Sequence, residues 1–287
     1  MFAIFCLFSL INHFAFQIYK IPSLSMLPTI HEGDYILVNK TGFGFNNTKI
    51  HNNKKSIRSF IINVCSLKQK KIKSFDVVVF YKPEYSSLEK NFSNFLGQVM
   101  VKRCHKIAGE TVLINYEQTF DDGIKAYKKK LLESINQKAN LDENNEYYKD
   151  KYDCSSNENL LFPYDRSLNW LVYKYGPLWI PSEGREILLT KKSAEHYKYL
   201  ILLEGNKVKI SNDSVFLNSH YSEKYTFNNN YYFMLGDNFY ESMDSRYWGF
   251  VPEKNIIGKA VLVLFSLDPQ AKWYQKFRWN RFLKKIE

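Results

Sequence analysis

Cysteine is scarce in this chain, and unpatterned where it occurs. Cys6, Cys65, Cys104 and Cys154 show neither CxxC spacing nor matched histidines, which excludes a zinc knuckle and a thioredoxin-like redox site. A Cys65–Cys154 bridge is not inferable from spacing. HExxH, GxGxxG and P-loop patterns are also missing, which removes a zincin, a dinucleotide enzyme and an NTPase. No metal or cofactor is expected, and no internal repeat is evident. Positive charge is plentiful, at a formal +11, but the lysines are scattered among Asn and Tyr. No recognition helix, zinc finger or RNP-like strand accompanies them, so anionic lipid is a better expected partner than nucleic acid.

Charge is lacking altogether from Met1 to Tyr19, where only Ser9, Asn12, His13 and Gln17 interrupt the apolar run. About twenty helical residues just span a hydrocarbon layer of roughly 30 Å. A cleavable signal peptide is the alternative, yet a basic n-region is absent and no small-residue cleavage site is evident. Residues 1–19 are therefore expected to be a transmembrane anchor. The basic remainder can still lie on the exported side, because long domains translocate largely regardless of charge. With 45% apolar and 17% aromatic residues over 287 positions, the chain can build a real core, and disorder throughout is excluded.

Short apolar or alternating runs bounded by Gly, Asp, Asn or Pro predict strands at 33–40, 75–81, 97–107 and 111–115, and again at 170–181, 185–190, 207–217, 231–236 and 257–265. The expected fold is mainly β: a bent antiparallel core from 20–115 and 231–268, with a more variable region inserted at 116–230. A helix is expected around 123–139, and residues 46–74 read as a loop or hairpin insertion. The tail, 269–287, mixes aromatic and basic residues and reads equally as an interfacial segment or an ordinary basic tail.

Two separated segments carry candidate chemistry, Ile21 to Thr29 and Val99 to Arg103. Pro22 and Pro28 keep the backbone around Ser25 out of a helix, which suits a fixed hydroxyl. Lys102 ends an apolar run, where low dielectric would lower its pKa toward that of a general base. Alone, each has a plainer reading, a turn serine and a solvated strand-edge lysine. Cys104 is predicted on the same strand face as Lys102, packing near it, and His105 on the opposite face without a legible acidic partner.

The plainer readings give way to a third segment, Tyr232 to Pro252, which contains Gly236-Asp237-Asn238 and Ser242-Met243-Asp244-Ser245-Arg246. Together with Gly33 to Val38 and the Asp76 to Phe80 strand, the chain resembles the type I signal peptidases, membrane-bound serine proteases with a Ser/Lys dyad. The resemblance implies Ser25 as nucleophile, Lys102 as general base, and an oxyanion hole from Ser23 and the Ser25 backbone N–H. It further implies Ser242 as the hydroxyl orienting the lysine, and Asp244 with Arg246 as a structural ion pair. By position, Tyr19, Ile21, Met26, Ile30 and Val101 are implied to line pockets for small residues. The implied substrates are signal peptides of exported preproteins, met near the export machinery, with the catalytic part on the periplasmic side of the bacterial inner membrane. A dedicated peptidase of a conjugation or pilus system, and a non-catalytic membrane-tethered scaffold, are the alternatives. Three positions depart from the family pattern: Ser74-Phe75 lacks the usual glycine before the Asp76 strand, Phe239 stands where arginine is common, and Cys104 to Glu110 replaces a glycine- and proline-containing turn.

Overall fold

The computed structural model describes residues 15–41, 43, 71–83, 98–115, 161–269 and 271–287. Cys6, Cys65, Cys154 and the helix expected at 123–139 lie outside them. In chain order the strands are β1 (Phe16–Lys20), β2 (Asp34–Asn39), β3 (Val77–Tyr81), β4 (Val99–Lys106), β5 (Thr111–Asn115), β6 (Lys174–Trp179) and β7 (Glu186–Leu188). Helix α1 (Lys191–Leu203) follows, then β8 (Val208–Ser211), β9 (Ser214–Leu217), β10 (His220–Tyr221), β11 (Lys224–Thr226) and β12 (Tyr231–Leu235). The short helix α2 (Ser245–Trp248), β13 (Val251–Pro252), β14 (Ile256–Ser266) and β15 (Lys284–Lys285) complete the described chain.

The main sheet is antiparallel in the order β1-β2-β14-β3-β4-β12-β13, with β15 added beside β14. Register shifts along β14 bend the sheet into a curled core. Covering on both faces explains why β3 is apolar at consecutive positions: Val78 and Phe80 enter one hydrophobic cluster, Val77 and Val79 another. In β2, by contrast, buried and half-buried residues alternate strictly. Strands β5 to β11 form three small sheets outside the main one, β5-β6, β7-β11 and β8-β9-β10.

Two differences from the sequence reading stand out. Residues Phe16–Lys20 are a strand paired with β2, not the end of a membrane helix. The physical reason is the partner: Gln17, Ile18 and Tyr19 face Val38, Leu37 and Ile36 across the ladder, which supplies the backbone hydrogen bonds that a helix would otherwise make internally. The anchor boundary expected at 19 thus falls inside a strand, and residues 1–14 lie outside the described ones. Among the described residues no helix is long and apolar enough to cross a membrane. The second difference is α1, which the strand-centred reading missed. Its signal was present, since Ala194, Tyr197, Leu200 and Ile201 recur at helical spacing and are buried. Thr190 and Ser193 close a capping box at its start.

Candidate active site

Ser25 lies in the connection between β1 and β2. Backbone bonds from Ile21 N–H to the Asp34 carbonyl and from Gly33 N–H to the Ile21 carbonyl close its base. Gly33 is required there: its φ is +86°, and an added Cβ would run into the Leu267 carbonyl. Inside this frame the Leu27 N–H donates to the Leu24 carbonyl at 3.1 Å and the Ile30 N–H to the Met26 carbonyl at 2.9 Å, coiling the chain around Ser25.

β4 brings Lys102 to that turn. Its Nζ lies 2.6 Å from Ser25 Oγ, and the side chain is almost wholly buried. Burial brings the Lys102 pKa down to about 8; Asp244 pulls upward, Arg246 downward and Asp237 upward. The Arg246 guanidinium grips Asp244 through Nε at 2.8 Å and Nη2 at 2.8 Å, with both groups fully buried. Ser23 Oγ is 3.4 Å from Ser25 Oγ. Ser242 is buried, and among the described residues its Oγ has no hydrogen-bond partner.

The glycine/aspartate block is clasped directly onto the Ser25 turn. Asn238 N–H donates to the Ser25 carbonyl at 3.0 Å and its Nδ2 to the Leu24 carbonyl at 3.2 Å. Gly236 sits so close that a Cβ would overlap the Ser242 hydroxyl and come within 2.6 Å of the Ser25 carbonyl oxygen. Tyr247, Trp248 and Phe250 are buried behind this block. Of the residues expected to line pockets, Ile21, Met26 and Ile30 are buried in one hydrophobic cluster, with Tyr19 and Val101 packed against it half-buried.

Sequence reasoning missed several groups. Arg103, next to Lys102, makes a bidentate pair with Asp237 at 2.8 and 2.7 Å. It also donates to Thr29 Oγ1, to the Phe75 carbonyl and to the Glu287 main-chain oxygen. Arg281 makes a second bidentate pair with Asp34 and donates to the Thr29 carbonyl. An arginine inside an apolar strand demands a buried carboxylate, so Arg103 itself was a signal; its partner was not readable.

The departures from the family pattern also find physical form. Phe75 adopts φ +73°, the left-handed region a glycine would enter freely. Phe239 lies under Arg246, whose guanidinium carbon is 3.9 Å from the ring centroid and whose Nη2 donates to the Phe239 carbonyl at 2.5 Å. The Ile107–Glu110 turn is closed by the Glu110 carboxylate, which accepts from the Ile107 N–H at 3.0 Å. Cys104 is a buried free thiol whose pKa burial pushes well up, and burial takes His105 down to about 4. Neither fits a nucleophile or base at neutral pH.

An antiparallel sheet that holds a serine hydroxyl against a buried, partly deprotonatable amine has the makings of a Ser/Lys-type serine hydrolase. The chain belongs to the signal peptidase family, peptidase S26, whose family model matches residues 1–265. It is 27% identical over 291 residues to signal peptidase I of Buchnera aphidicola from Acyrthosiphon pisum, covering 98% of this chain and 78% of that one. It is 26% identical to signal peptidase I of Haemophilus influenzae, covering 100% and 74%, and 27% identical to that of Helicobacter pylori strain J99, covering 97% and 88%.

Proposed function

We propose that this chain is a serine endopeptidase that removes N-terminal signal peptides from exported preproteins, with Ser25 as nucleophile and neutral Lys102 as general base. The observation that carries this reading is the 2.6 Å contact between Lys102 Nζ and Ser25 Oγ at a buried amine. Neutral Nζ accepts the Ser25 proton as Oγ attacks the scissile carbonyl, and the resulting ammonium gives that proton to the leaving amine. Water then attacks the acyl-enzyme, Nζ taking its proton and returning it to Ser25 Oγ as the acyl–oxygen bond breaks. The Ser25 backbone N–H and the Ser23 hydroxyl stabilise the oxyanion. The Ser242 hydroxyl, which hydrogen-bonds no described residue at rest, is assigned to orient the lysine amine by turning to Nζ, and the Arg246 pairing neutralises the Asp244 carboxylate that would otherwise favour the ammonium.

The substrate adds as an extended strand beside Val99–Lys102. β12 pairs with β4 only at Arg103, Cys104 and Lys106. On that side the first half of β4 carries no strand partner among the described residues, which leaves backbone groups for an incoming peptide. The half-buried Tyr19 and Val101 close over small side chains at the positions one and three before the cut, backed by the buried Ile21, Met26 and Ile30, so a bulky residue is rejected sterically. The catalytic body works on the periplasmic side of the bacterial inner membrane.

The test is a double-mutant cycle on a preprotein substrate. Ser25→Ala and Lys102→Ala should each abolish cleavage while preserving the fold, with the double variant little worse than either. Lys102→Arg should not restore activity, because a guanidinium stays protonated. Substantial turnover by Ser25→Ala would sink the assignment.

A further inference from the structure

Arg103 is rooted in the peptide unit next to the proposed base, and its guanidinium reaches four separate stretches of chain. Nε and Nη2 hold Asp237 of the glycine/aspartate block. Nη2 reaches Thr29 Oγ1 at 3.2 Å, four residues beyond Ser25. Nη1 is shared between the Phe75 carbonyl at 2.8 Å and the Glu287 main-chain oxygen at 2.9 Å. The last of these contacts comes from a segment that the chemistry described above does not use.

That segment is built into the sheet. β3 covers the edge of β14 from Ile256 to Lys259, and further along that strand Leu262 and Val263 pair with Lys285 and Lys284 of β15. Leu283 N–H donates to the Leu264 carbonyl and Ile286 N–H to the Val261 carbonyl, extending the ladder on either side. Ile286 is buried in the cluster that contains Ile21, Met26 and Ile30. Just before it, Arg281 takes the Thr29 carbonyl at 3.0 Å while its pairing with Asp34 secures the end of the same loop. Thr29 is therefore gripped twice, on its carbonyl by Arg281 and on its hydroxyl by Arg103.

We infer that the segment Arg281–Glu287 is a positioning strap for the catalytic dyad, holding the Ser25 turn and the Lys102 strand in one fixed relation through Thr29, Arg103 and Ile286. The inference rests on the Ser25–Lys102 reading and assigns no reacting group to the strap. Its action is geometric: Ser25 and Lys102 come from elements far apart in sequence, and a displacement of about 1 Å between reacting groups costs roughly a hundredfold in rate.

Deletion of Ile286–Glu287 from the otherwise full chain, in detergent micelles, should lower kcat on a peptide with alanine before the cut by about tenfold or more, with KM nearly unchanged. The acid limb of the kcat profile should also move to higher pH. Lys102 is faced by Ser25, Asp237, Asp244 and Arg246, and a loosened turn lets water reach its amine. Val215→Ala, a core truncation in β9, should lower stability while moving neither kcat nor that limb. A folded deletion variant with wild-type kcat and an unmoved limb would overturn the strap. If the deletion does not fold, Ile286→Ala replaces it, with a smaller kcat loss and the same direction of shift expected; no change in either refutes the inference. A cleaving Ser25→Ala protein overturns the dyad and the strap with it, whereas an inactive Ser25→Ala beside a fully active deletion overturns the strap alone.

Discussion

A lysine amine serves as a base only if it sheds its proton near the working pH, and burial takes Lys102 from an ordinary 10.5 to about 8. Turnover should therefore rise with pH through about 8 as Nζ becomes neutral. The same shift bears on stability with a definite sign. Between about 8 and 10.5 the unfolded chain binds the proton that the folded chain has lost, so stability rises with pH across this window. Below it the folded protein carries the whole cost of a buried ammonium, on the order of 3 kcal/mol. Lys102→Met should accordingly raise Tm at pH 7 while abolishing cleavage, with the gain shrinking as pH approaches 10.5. Thermal melts across that range check this, and a gain independent of pH would contradict it. At this scale the sequence named residues that meet: Ser25 Oγ contacts Lys102 Nζ and lies near Ser23 Oγ, and Asp244 pairs with Arg246, whereas Ser242 Oγ has no hydrogen-bond partner among the described residues. The strain at Phe75 was legible only as a missing glycine. The structure gives it a φ of +73°, a conformation costing an L-residue about 1–2 kcal/mol.

Between elements, the block after β12 does the positioning. Its Gly236 brings the Ser242 hydroxyl and the Ser25 carbonyl together in the space a side chain would fill. Gly236→Ala should fold with a modest loss of stability, about 1–3 kcal/mol from overpacking, yet lose most of its kcat as the two serines are pushed apart. Circular dichroism alongside peptide kinetics separates these effects; a folded variant with full kcat would mean that the close approach is irrelevant to turnover. The block's glycine, aspartates and arginine could be read directly because they are close in sequence. The Arg103–Asp237 and Arg281–Asp34 pairs could not, since they join residues 134 and 247 positions apart. Only the sheet order tells which carboxylate meets which guanidinium. Removing one partner of such a buried pair leaves an uncompensated charge and typically costs about 3–5 kcal/mol, so these contacts fix topology as much as they support the site.

For the molecule as a whole, the tail has two sides. Arg281 and Ile286 are buried against the sheet, while Trp273 is 84% exposed and Trp279 77% exposed. The sequence offered an interfacial segment or an ordinary basic tail; the inward residues answer to neither reading. In proteoliposomes, acyl-chain-brominated lipid should quench single-tryptophan variants that retain Trp273 or Trp279 and spare one retaining the fully buried Trp248. Equal sparing of all three would reject the interfacial reading. The sheet order carries one more consequence, for the protein's own biogenesis. β1 and β2 flank the nucleophile turn, yet β2 pairs on its other side with β14, more than two hundred residues later, and β15 comes later still. Contacts of such long range form slowly, and domains are synthesised from the N-terminus. A nascent chain thus emerges with Ser25 exposed but without the strands that bring it to Lys102. With the proposed dyad split in this way, it should be incapable of hydrolysis until its last strands are in place, which protects the chain itself from a protease that is still being made.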